Sequence, residues 1–177
     1  MSDKITIITE KEKSKRVPSK PKKAVFYCIK PDESQSFLFD SFENEKIFCS
    51  HITLAFKPDA ETRKYFNKMV GESHTLTVKH ILKKERVCSV AVLSSEDLSP
   101  HYFGDSEMHL TISTNGTPPS ISNDIINEYN NFGSIFNEYG SKSIEQYLID
   151  HEIKGTICGA IYGKDGLVYV DDPGFLK

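Results

Sequence analysis

SHITLAF, residues 50–56, sets a histidine and a threonine two positions apart inside an otherwise apolar, β-prone run. In a strand, residues i and i+2 point to the same face. His51 and Thr53 therefore project together, while Ile52 and Leu54 face the other way, toward a core. MHLTIST, residues 108–114, repeats the arrangement, with His109 and Thr111 opposite Leu110 and Ile112. Each run leads into a proline turn and then a helical pattern. Pro58 precedes the segment 59–70, where Asp59 caps a helix, Tyr65, Phe66, Met69 and Val70 share one face, and Gly71 is the stop. After the second run come Pro118 and Pro119, then a helix capped by Ser122 and carrying Ile125, Ile126, Tyr129 and Phe132 up to Gly133. Strand, turn and helix occurring twice read as an internal duplication, which brings equivalent residues to a shared cleft.

The remaining segments fit around these two units. AVFYCI, residues 24–29, is a strand closed by Pro31, and IFCSHITLAF, 47–56, is one long buried strand. Residues 74–94 alternate on either side of KKER and form a hairpin. A third helix is expected from Ser143, where Gln146 completes a capping box, to Gly155. TICGAIYG and LVYVDD close the chain as two strands joined at KDG. ITIIT at 5–9 and FLF at 37–39 are short apolar patches. The expected class is α+β and bilobal: duplicated strand–helix units, a curved antiparallel-rich sheet with helices packed outside, and a central cleft.

Length and charge bound the possibilities. The 177 residues, 38% hydrophobic, suit one domain with a substantial core. Residues 1–23 hold eight Lys/Arg and three Asp/Glu, which leaves 14 basic and 22 acidic residues for the rest. The division is thus a basic leader, 1–23, either a solvated linker or a basic arm, and a single domain, 24–177. An acidic body is a poor match for long nucleic acid, whose affinity depends on phosphate neutralisation. The polar N-terminus and the lack of a long apolar run point to a soluble, cytoplasmic protein with no membrane partner. Cys28, Cys49, Cys88 and Cys158 are widely spaced in apolar contexts and read as reduced, buried thiols.

Two facing imidazoles suit phosphodiester chemistry. One can act as general base toward water or a hydroxyl, the other as general acid toward the leaving oxygen. Two threonine hydroxyls can hold the non-bridging phosphate oxygens. Neither histidine has a neighbouring Asp or Glu to build a carboxylate-bound metal, so no metal and no cofactor are expected. No phosphate-loop, dinucleotide-binding, nucleophile-elbow or zinc-protease motif is present. Tyr27, Tyr102, Phe103 and Tyr162 are candidates for stacking on a base, and Lys57 for meeting a phosphate.

HITL at 51–54 and HLTI at 109–112, each His-x-Thr-apolar on a repeated strand–helix frame, resemble the 2H phosphoesterase superfamily over residues 24–172. The resemblance implies a bilobal α+β fold, a metal-independent mechanism and a catalytic quartet of His51, Thr53, His109 and Thr111. That superfamily includes RNA 2',3'-cyclic phosphodiesterases, 2',5'-oligoadenylate phosphodiesterases and phage enzymes that destroy cyclic-oligonucleotide immune signals. The expected activity is hydrolysis of a small or cyclic oligonucleotide. The alternatives are action on RNA ends bearing a cyclic phosphate, and a binding module that does no chemistry. No obligate protein partner is implied.

Overall fold

The computed structural model describes residues 20–33, 42, 46–104, 106–132 and 144–177. These form nine strands: β1 (Phe26–Pro31), β2 (Lys46–Ile47), β3 (Ile52–Phe56), β4 (Ser73–Lys84), β5 (Cys88–Ser94), β6 (His109–Thr114), β7 (Glu145–Tyr147), β8 (Glu152–Gly163) and β9 (Gly166–Val170). Two helices, α1 (Ala60–Asn67) and α2 (Ile121–Phe132), follow β3 and β6. The strands make one sheet in the order β2-β6-β5-β4-β8-β1-β3, with β7 beside β4 and β9 beside β8. Every ladder between them is antiparallel. The α+β class and the curved, antiparallel-rich sheet with helices packed on it are as expected.

The stretch 46–56 makes the curvature visible. Phe48 and Cys49 still donate to the carbonyls of Ile112 and Thr111, at 2.8 and 2.9 Å, so the chain hugs β6 at one end of the sheet. Three residues later Ile52 pairs with Ile29 of β1, at the other end. So short a crossing is possible only if the sheet curls until its ends nearly meet. The expected single strand 47–56 is thus broken in two. Cys49, with φ 47° in the left-handed region, turns the chain from one sheet end to the other.

One face of the sheet carries the main core, where Ile52, Leu54, Leu110, Ile112 and Ile157 pack with Phe66 of α1. The opposite face carries two smaller clusters. Leu82, Val90 and Val92 pack under Ile125 and Ile126 of α2, and Phe26 packs with Cys28, Cys158 and Ala160. The helices therefore cover opposite faces, and what the two halves share is strand and turn rather than helix placement.

Asp59 caps α1 as expected, its carboxylate accepting from the Thr62 amide at 2.8 Å, and Gly71 lies beyond the helix at φ 94°. Ser122 is not a cap. It lies inside α2, buried, with its hydroxyl turned onto the sheet. The expected third helix is absent: residues 145–147 pair with β4, and 152–163 form a central strand between β4 and β1. Local capping signals lose here to burial of Ile153 and Ile157 in the main core. The patches at 5–9 and 37–39 lie outside the described residues. Lys22, at the end of the basic leader, bonds through its backbone to Phe175 and Lys177. No helix among the described residues is long and apolar enough to cross a membrane. The four cysteines are buried thiols, none of them in a disulfide.

Candidate active site

The sheet's curl brings β3 against β6. On the face away from the main core, His51, Thr53, His109 and Thr111 line one cavity of about 360 Å³. All four are half-buried. The apolar residues between them, Ile52, Leu54, Leu110 and Ile112, are fully buried and hold the two strands in register. Among the described residues no group of three or more His, Cys, Asp or Glu is arranged to hold a metal ion.

The two imidazoles are held differently. His109 Nδ1 is 2.7 Å from the carbonyl oxygen of Glu107, which can only accept, so Nδ1 carries the proton and Nε2 is left for the cavity. The Tyr102 hydroxyl donates to the same carbonyl at 3.3 Å. His51 Nδ1 instead meets two hydroxyls, Ser50 at 3.1 Å and Tyr169 at 3.0 Å. The His51 ring also rests against Phe26, with centroids 5.1 Å apart.

Burial first, and then the like charge of the facing His109, together push the His51 pKa down to about 4. Burial also lowers His109, while the Glu107 carbonyl opposes the fall by accepting from the protonated ring. Of the two, His109 is better placed to hold a proton. Thr111 Oγ1 lies 2.8 Å from the Ser122 hydroxyl and can donate to the Pro119 carbonyl at 3.4 Å. Ser122 also reaches Cys88 Sγ at 3.5 Å, which ties the second motif strand to α2 and β5.

The expected substrate contacts divide. Tyr102 and Phe103 line the cavity, and Phe103 is held there by its amide, which donates to the Leu54 carbonyl at 2.9 Å. Tyr27 does not line it. The ring is fully buried on the core face, stacked on Phe66 at 5.1 Å, with its hydroxyl bonded to Asn67 and to the Arg63 carbonyl. The aromatic residue of β1 that faces the site is its neighbour Phe26. Tyr162 is 62% exposed on the β8–β9 hairpin, opposite Leu167, and is not part of the cavity wall. Lys57 stands just outside, its ammonium 5.5 Å from the centre of the Phe56 ring.

Phe56 itself was hidden from period-2 reasoning, which sends residue 56 to the same face as Leu54. In the β1–β3 ladder Cys28 pairs with Thr53 and Tyr27 with Ala55, so Leu54 is an extra residue. This β-bulge turns both Leu54 and Ala55 to the core and Phe56 to the site. Tyr169 lies more than a hundred residues from His51, and no local pattern links them.

No family model and no curated protein sequence matches the chain. Its fold is similar to that of a solved structure described as a fungal RNA kinase, with a TM-score of 0.50, 14% sequence identity and 79% of this chain covered. The chain spans 46% of that protein's length, and at this identity the likeness establishes a shared fold.

Proposed function

We propose that this chain is a phosphodiesterase that hydrolyses a phosphodiester of a small or cyclic oligonucleotide by two-histidine acid–base catalysis. The observation that carries the reading is the convergence of two His-x-Thr strands, from opposite ends of one curled sheet, on a single cavity. His51, the imidazole more strongly driven to the neutral form, takes a proton from water as the water oxygen attacks phosphorus. His109, whose protonated form is supported by the Glu107 carbonyl, donates its Nε2 proton to the leaving oxygen as the P–O bond breaks. An anionic diester between the rings favours the imidazolium, and the carbonyl makes His109 the ring that holds it. Thr53 and Thr111 donate to the non-bridging oxygens. With Ser122 as the donor of the 2.8 Å contact, the Thr111 proton is free to move from the longer Pro119 contact to the phosphate. Phe26, Phe56, Tyr102 and Phe103 offer aromatic surface to a base.

The test is turnover of a panel comprising cyclic dinucleotides, 2',5'-oligoadenylate and RNA ending in a 2',3'-cyclic phosphate, with and without EDTA. His51→Ala and His109→Ala should each lower kcat by about 100- to 10,000-fold, and EDTA should change nothing. Activity lost in EDTA would overturn the metal-independent mechanism.

Action on RNA ends is the second reading, favoured by the likeness to a protein described as an RNA kinase. Selective consumption of the cyclic-phosphate RNA would establish it. Tight nucleotide binding with no product after long incubation would instead identify a binding module.

A further inference from the structure

His51, immediately before β3, and His109, the first residue of β6, occupy equivalent places in the two motifs, yet their outer nitrogens are held by unlike groups. A backbone carbonyl holds His109. His51 is held by a side chain from outside both repeated units: Tyr169 of β9, on the C-terminal hairpin, whose hydroxyl is 3.0 Å from Nδ1. The hairpin is well anchored for the purpose. Tyr169 pairs with Ala160 of β8, which in turn pairs with Phe26 of β1. Phe26 packs edge-on against the Tyr169 ring at 6.4 Å, and its ring lies tilted by 31° over that of His51 at 5.1 Å. The Lys30 ammonium of β1 lies 5.2 Å from the centre of the Tyr169 ring. Tyrosine, histidine and phenylalanine thus fix one another in a single arrangement, and the histidine can turn only by breaking the contact with Tyr169.

An unprotonated Nε2 on a neutral imidazole requires the proton on Nδ1, and that proton needs an acceptor. We propose that Tyr169 is the positioning residue of His51: its hydroxyl oxygen accepts the Nδ1–H, leaving Nε2 bare as the base at the cavity. This rests on the phosphodiesterase reading, in which His51 is the base. When Nε2 takes the proton from water, the imidazolium keeps its Nδ1–H on the Tyr169 oxygen, and no proton passes to the tyrosine. Ser50, the second hydroxyl near Nδ1, is one residue away at 3.1 Å on the crossing segment and plays the lesser part. The device makes two sequence-equivalent histidines unequal.

The experiment uses the full chain labelled with 15N in its histidines, without substrate, and the Tyr169→Phe variant, which removes one oxygen and leaves the ring packing in place. The native His51 should appear as the Nδ1–H tautomer, and Tyr169→Phe should shift it toward Nε2–H. In turnover assays the variant should lose about tenfold in kcat, the factor that one hydrogen bond is worth, with KM within about twofold of the native value because the tyrosine does not touch substrate. A native Nε2–H tautomer, an unchanged kcat, or a tautomer shift in Ser50→Ala instead of Tyr169→Phe would overturn the assignment. Turnover that survives His51→Ala would remove the phosphodiesterase reading itself. The tautomer measurement needs no activity and separates the two failures.

Discussion

Leu54 and Ile112 are the same kind of residue in two different ladders: each is the extra residue of a β-bulge and each directly follows the threonine of a His-x-Thr strand. In the first ladder Thr53 and Ala55 pair with consecutive residues of β1. In the second, Thr111 and Ser113 pair with Val90 and Ser89 of β5. The duplication suggested by two short motifs thus extends to the backbone. A bulge strengthens local twist and re-aims the side chains beyond it. Beyond Leu54 it turns Phe56 to the site. Beyond Ile112 it turns Ser113 inward, where its hydroxyl donates to the Phe42 carbonyl at 2.7 Å.

The bulge separates two neighbouring apolar residues by role. Leu54→Ala should cost about 2–5 kcal/mol in urea denaturation, since the leucine is fully buried in the main core. Phe56, 63% exposed, should change stability by no more than about 0.5 kcal/mol when replaced by alanine, while raising KM for a nucleotide substrate. Equal destabilisation by the two variants would mean that Phe56 belongs to the core.

Protonation of His51 should be visible in stability. The unfolded imidazole binds a proton below about pH 6.5, and the folded one only near pH 4, because burial and then His109 disfavour the charge. Its contribution is fully present above pH 6.5 and is lost as pH falls from there toward 4, by at most about 3 kcal/mol. His109, the facing titratable group, is lowered in the same direction and adds to the slope. Denaturation midpoints at pH 7, 6, 5 and 4 should therefore fall, and His51→Asn should flatten part of the fall. An unchanged slope in that variant would show that other groups carry it.

Tyr27→Phe tests the removal of Tyr27 from the substrate site. Its hydroxyl joins β1 to α1 through Asn67 and the Arg63 carbonyl, so the variant should lose about 1 kcal/mol of stability. KM and kcat should be unchanged. A raised KM would put Tyr27 back in contact with substrate.

Ser122→Ala should act on Thr111 at one remove. Without the serine hydroxyl, Thr111 keeps only the longer contact to Pro119. A fall in kcat of a few fold, with a stability loss of about 1 kcal/mol, is expected. An effect as large as that of Thr111→Ala would mean that Ser122 itself meets the phosphate.

The sequence by itself determined what depends on local periodicity. Alternation about Ile52 and Leu110 places histidine and threonine together and away from the core, Asp59 caps its helix, and KDG closes its hairpin. It misjudged residues 144–155, whose capping pattern is a local signal. Strand pairing with β4 and β1 is a non-local one, and the burial of Ile153 and Ile157 outweighs helix propensity of a few tenths of a kcal/mol per residue.

Only the tertiary structure decided which aromatic residues face the cavity, because one extra residue in a ladder reverses the parity of everything after it. Phe56 joins the site by that reversal, and on β1 the facing ring is Phe26, one residue from the expected Tyr27. Likewise, only the curl of the sheet brings β3 to β6, and only the C-terminal hairpin brings Tyr169 to His51. These contacts join residues far apart in the chain, and no spacing along the chain encodes them.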